Sequence, residues 1–110
     1  MGLFDFVKSK KSEMIYVNFL FLNSELPDTE SRKIVNSVSP TPNVMLVCVH
    51  PNYANQKKLD ETIQLYAGGA MVSFAKHENF KYDVRDLSSK RFEHKQSNVS
   101  GWIFTWPMKK

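Results

Sequence analysis

Cys48 and His50 stand one residue apart in an apolar run, and in an extended strand that spacing puts both side chains on one face. A thiol beside an imidazole is the pairing of a nucleophile with its base, and also of two metal ligands. The flanking residues argue for the plainer role. Residues 44–49 read as buried strand, where an unpaired cysteine behaves as a small hydrophobe, and His77, His94, Asp83 and Glu93 offer no spacing that completes a metal site. A second set, His77, His94 and Lys95 with Arg91 nearby, has the residue types of a metal-free nuclease: an acid, a base and a cation to stabilise a phosphate. Polar hairpins also carry such residues simply for solubility.

Two further groups suggest binding. Lys57 and Lys58 fall in the first turn of a helix expected over 55–67, where the macrodipole disfavours cations, so a bound acidic group would explain them and a solvated, slightly frustrated turn would too. Trp102, Phe104 and Trp106 alternate along the last expected strand and share one face. Such a row packs a sheet against helices, forms a protein-binding surface, or stacks unpaired bases with Arg91, Lys95, Lys109 and Lys110 near the phosphates.

The elements that position these residues follow from apolar patterning. Residues 14–22 are β-branched and aromatic with almost no polar interruption, the pattern of a strand covered on both faces. A short helix over 28–38 has acids in its first turn and Ile34, Val35 and Val38 at helical spacing, and after two prolines a second apolar strand covers 44–50. In the helix over 55–67, Leu59, Ile63 and Ala67 share a face, and Gly68-Gly69 supply its end. From there the period reads as two, giving strands over 71–76 and 80–85 joined at 77–79, then a polar stretch over 88–98 with room for a short strand around 91–95, and a last strand over 99–106 stopped by Pro107.

The expected architecture is therefore α+β, a single small domain in β-α-β-α-β-β-β order, with one mixed sheet and two helices packed on one face. Residues 1–12, apolar then basic, form an arm, and residues 13–110 form the domain. The chain of 110 residues, 42% hydrophobic and 24% charged, is long enough for one core and no more. Its net charge of +4 comes entirely from the second half, because residues 1–55 carry as many acids as bases. That surplus steers an acidic partner without implying a phosphate backbone.

One cysteine excludes an internal disulfide and a four-thiolate zinc site, and no signal-peptide pattern or membrane-length apolar run occurs, so a cytoplasmic protein is expected. No phosphate-cradling loop or metal cluster calls for a cofactor, and none is expected. Binding is favoured over catalysis. The first expectation is a non-enzymatic protein-binding domain, such as an immunity protein, an inhibitor or a small regulatory subunit. Its basic, aromatic-rich surface (Lys57, Lys58, Arg91, Lys95, Trp102, Phe104, Trp106) would face an acidic protein partner. The alternatives are a single-stranded nucleic-acid-binding module on the aromatic row, or a small metal-free nuclease using His77, His94 and Lys95. Self-assembly into a homo-oligomer stands beside these.

Overall fold

The apolar run Met14–Leu22 forms strand β1, and it occupies the interior position its composition requires. The computed structural model describes residues 14–54 and 57–110; the arm expected over residues 1–12 lies outside them. Strand β1 pairs in parallel with β2 (Asn43–Val49) and antiparallel with β4 (Val99–Lys109), and β3 (Ser88–His94) pairs antiparallel with β4. The mixed sheet has the order β2-β1-β4-β3. Helices α1 (Asp28–Val38), α2 (Pro51–Ala54) and α3 (Glu61–Glu78) complete the α+β domain.

The two long helices lie on opposite faces of the sheet, which corrects the one-faced arrangement expected from the sequence. Alternation along β1 separates two cores. Val17, Phe19 and Phe21 join Trp102, Phe104, Trp106 and Met108 beneath Ile63, Ala67, Met71 and Ala75 of α3. Leu20 and Leu22 join Val99 and Ile103 beneath Val35 of α1. The topology explains the division. Strands β1, β2 and β3 all point the same way, and the chain steps from β1 to β2 in one direction, then from β2 back across the sheet to β3 in the other. Two crossovers of the same hand that travel in opposite directions fall on opposite faces.

The hairpin expected over 71–85 is also corrected. Helix α3 continues through Gly68-Gly69 to Glu78, so two strands follow it rather than three. Residues 71–75 satisfy both periods locally, and the tertiary context decides: Ile63, Ala67, Met71 and Ala75 form an i, i+4 stripe that the aromatic face of the sheet buries. The helix ends at Asn79, whose backbone is left-handed at φ 59° and whose N–H reaches the carbonyls of Ala75 and Lys76. Its start also moves. Asp60 accepts from the Ile63 N–H at 2.9 Å, so the helix begins six residues later than the apolar spacing implied.

Pro107 does not stop the last strand, which runs on to Lys109. The N–H and C=O of Lys109 bond to Lys81, on the side of β4 where β3 has already ended. By the two-residue period Pro107 faces that same side, so its missing donor costs no ladder bond.

Two positions fix how tightly the strands meet. A Cβ on Gly101 would collide with the Phe21 carbonyl, so only glycine lets β4 approach β1 there. Asn18, fully buried in the middle of β1, places its amide where it can be satisfied from several elements. Its Nδ2 lies 3.0 Å from Ser39 Oγ at the end of α1, 3.2 Å from the Tyr16 carbonyl and 3.3 Å from the Val44 carbonyl of β2, and its Oδ1 accepts from Thr105 Oγ1 of β4 at 2.7 Å.

The glycines yield a signed prediction. At Gly68 and Gly69 an added Cβ meets nothing within 4 Å and φ is not positive, so Gly68→Ala and Gly69→Ala each stabilise by about 0.5–1 kcal/mol in urea denaturation. Gly101→Ala lowers stability by several kcal/mol in the same assay. Asn18→Leu, which leaves the Ser39 and Thr105 hydroxyls and the Val44 carbonyl short of a partner, costs about 2–4 kcal/mol; Thr105→Val, which removes one of these bonds, costs about 1–2 kcal/mol.

Candidate functional site

The aromatic row of β4 is core. Trp102, Phe104 and Trp106 are 7%, 1% and 3% exposed, because α3 covers the face they occupy. Trp106 Nε1 donates to the Asp83 carbonyl at 2.8 Å and its ring meets Tyr82 edge-on at 4.6 Å. Arg91, half-buried and opposite Trp102 in the register, lies over that ring at 5.9 Å with Nη2 3.4 Å from Ser100 Oγ. The row therefore offers bases nothing to stack on, and the basic, aromatic-rich surface expected from the sequence loses its aromatic half.

Its cations stand on separate elements. Lys57 and Lys58 are exposed in a bend before α3, outside the helix, whose true start carries Asp60 and Glu61. Acids there complement the macrodipole, so the frustration that suggested a bound anion is absent. Lys95 is exposed in the short turn Lys95–Ser97 between β3 and β4, at the opposite edge of the sheet from β2.

The two histidines of the nuclease reading are far apart. His77 is on the last turn of α3, its side chain 84% exposed, with Nε2 3.8 Å from Glu78 Oε2. The chain leaving that helix pairs Lys81 with Lys109 at one end of β4, whereas His94 pairs with Val99 at the other. Strand β4 is 11 residues long, so at a rise of about 3.3 Å per residue the two ends lie roughly 30 Å apart. They also serve opposite faces: His94 Nε2 is 3.5 Å from Glu30 Oε1 of α1. No single phosphate could engage both, and the His77, His94 and Lys95 constellation is dismantled.

Cys48 and His50 both adjoin Tyr66, in an aromatic setting at the end of β2. The His50 ring is 5.9 Å from both Phe21 and Tyr66, and the latter two are 5.5 Å apart. A hydrogen bond with Cys48 raises the Tyr66 phenol above its ordinary pKa, so near neutrality the phenol is protonated and serves the sulfur as a partner, not as a base. Among the described residues no group of three His, Cys, Asp or Glu side chains is placed to hold a metal ion.

The feature that sequence reasoning missed is the edge formed by β2. Tyr16 N–H bonds to the Pro42 carbonyl and His50 N–H to the Leu22 carbonyl, so even-numbered residues of this segment turn their backbone groups toward β1. Those of Asn43, Met45, Val47 and Val49 point outward, where no strand among the described residues follows. The strand carries no charge, no proline and no bulge, since its seven residues pair with β1 in unbroken register. Val47 and Val49 are 43% and 40% exposed. Beside them two adjoining clefts run between β2 and α1. One is lined by Leu22, Leu26, Val47 and Val49 with Glu25 and Asp28; the next is lined by Met45 and Val47 with Arg32 and Lys33 and shares Asp28. The other sheet edge differs: β3 carries Lys90, Arg91 and Glu93 within seven residues, the usual protection against unwanted pairing. The available signal was this contrast in charge, but it becomes informative only once the strand order is known.

Comparison with family models, with curated proteins and with solved structures finds no match to this chain.

The contact between His94 and Glu30 has a pH consequence. Lys33, 3.1 Å away, holds the Glu30 carboxyl below its ordinary value of 4.5, with the charge of His94 acting in the same direction and desolvation opposing both. A carboxylate whose folded pKa is depressed stabilises the fold above its unfolded pKa, and that contribution is lost as pH falls through the folded value. Wild type is therefore expected to melt above Glu30→Gln at neutral pH, with the gap closing as the solution is acidified past the ordinary carboxylate range, measured as Tm against pH.

Proposed function

We propose that this chain is a non-enzymatic protein-binding domain, of the kind that immunity proteins, inhibitors and small regulatory subunits represent, and that it engages its partner through the β2 edge. The observation that carries the reading is the difference between its two sheet edges. One is charged and thereby protected; the other is an uncharged, bulge-free strand whose outward N–H and C=O groups are aligned for strand addition. Backbone groups on such an edge supply affinity for an extended segment, and the clefts beside Met45, Val47 and Val49 accept its alternate side chains.

The separation of His77 from His94 and the burial of Trp102, Phe104 and Trp106 remove the supports of the nuclease and base-stacking alternatives. The partner surface is accordingly apolar backbone edge in place of a cationic patch.

The test is affinity capture from nuclease-treated lysate of the native cells, comparing the wild-type chain with Val47→Lys. The lysine places a charge on an outward, 43% exposed position, so the variant is expected to fold with stability within about 0.5 kcal/mol of wild type. Wild type is expected to retain a stoichiometric protein, whether another protein or untagged copies of this chain, that Val47→Lys does not retain. Recovery of no protein, or equal recovery by both baits, would overturn the assignment.

A further inference from the structure

We infer that the strand received by the β2 edge is β2 of a second copy, paired antiparallel about a two-fold axis through Leu46, so that two four-stranded sheets become one continuous sheet. This rests on the reading of β2 as a strand-accepting edge and specifies its occupant.

Three observations converge on a second copy. The first is hydrogen-bond parity. With Leu46 opposite Leu46, Met45 faces Val47 of the other copy and Asn43 faces Val49, and these are the residues whose N–H and C=O groups point outward. Each outward group then meets an outward group and all seven residues overlap, whereas slipping one strand by a single residue, which moves the axis midway between two positions, would set outward groups against inward ones. The second is side-chain composition. The strand Asn-Val-Met-Leu-Val-Cys-Val contains no charge, so an antiparallel self-pairing brings no like charges together, and on the α3 side Leu46 meets Leu46 while Cys48 meets Val44.

The third is charge arrangement on α1, which flanks the edge. The cleft beside Val47 and Val49 carries Glu25 and Asp28, and the cleft beside Met45 shares Asp28 and adds Arg32 and Lys33, so charge runs from acidic to basic along α1. The same two-fold axis turns the acidic end of one copy toward the basic end of the other. The interface is therefore complementary in sign as well as in backbone pairing, and an isologous contact of this kind closes at two copies and does not propagate. The protected β3 edge, with Lys90, Arg91 and Glu93, is consistent with growth stopping there.

The axis makes a residue-specific demand. Two residues opposite each other in a non-hydrogen-bonded antiparallel pair have Cα atoms about 4.5 Å apart, within disulfide range. In a Cys48→Ser background, Leu46→Cys is therefore expected to cross-link to itself under mild oxidation, and Met45→Cys, which faces position 47, is not. Sedimentation equilibrium of the full wild-type chain from micromolar to submillimolar concentration is expected to report a dimer, and Val47→Lys a monomer throughout.

A dimer that Val47→Lys leaves intact and Leu46→Cys does not cross-link forms elsewhere and overturns the inference. A monomeric wild type overturns it as well, including one whose Met45 and Val47 amides are nevertheless protected from exchange, which would put another segment of the same chain on the edge. A monomer that still captures a different protein in a Val47-dependent way refutes the second copy but retains the strand-accepting edge; loss of that capture too refutes both.

Discussion

Strand β1 is sealed from water on both faces and still contains an amide at its centre, and this combination organises the sheet. Val17, Phe19, Leu20, Phe21 and Leu22 are each at most 3% exposed, so the strand requires apolar cover above and below it and hydrogen-bonded neighbours on either side. Asn18 narrows the choice of neighbours. Its side chain is satisfied only when Val44 of β2, Ser39 after α1 and Thr105 of β4 all arrive in register, and a shift of one residue in either pairing would strand a buried amide. An apolar residue at this position would tolerate more alternatives. The hydrogen-bonded amide therefore ties the sheet to a single register.

Once β1 is interior, the edges are determined, and they are unequal. The β3 edge is bordered by charge, while β2 borrows its burial from β1 and α1 and leaves its outer side open. The long connection back across the sheet produces this asymmetry: α3 lies over the β1 and β4 aromatics, and thereby converts a row of rings that could have been a recognition surface into core. The fold thus spends its aromatic residues on holding α3, and what it leaves for interaction is backbone polarity along β2.

Much of this was legible from the sequence where local pattern and tertiary setting agree. The run 14–22 and the helix at 28–38 have the boundaries their patterns imply, and the second strand is displaced by one residue at each end. Residues 71–75 were not legible, because Met71, Val72, Phe74 and Ala75 satisfy a helical and an alternating period equally, and only the facing aromatics of β1 and β4 select the helix. Gly68-Gly69 misled for a related reason: glycine permits a helix end without requiring one, and here neither adopts positive φ. For the site, residue types were readable but distances were not. His77 and His94 are 17 positions apart in sequence and at opposite ends of β4 in space, and the row at Trp102 looks the same in one dimension whether a helix lies on it or water does. The β2 edge was invisible because edge and interior strands of equal hydrophobicity differ only in strand order.

The central claim, that β2 receives a strand from a second copy, is tested most directly by residue-resolved amide exchange measured at two protein concentrations. The backbone parity of β2 predicts that Val44, Leu46 and Cys48, which face β1, are protected at both concentrations, while Met45, Val47 and Val49 pass from rapid exchange when dilute to comparable protection when concentrated. Exchange of Met45, Val47 and Val49 that stays the same across the concentration range would contradict it.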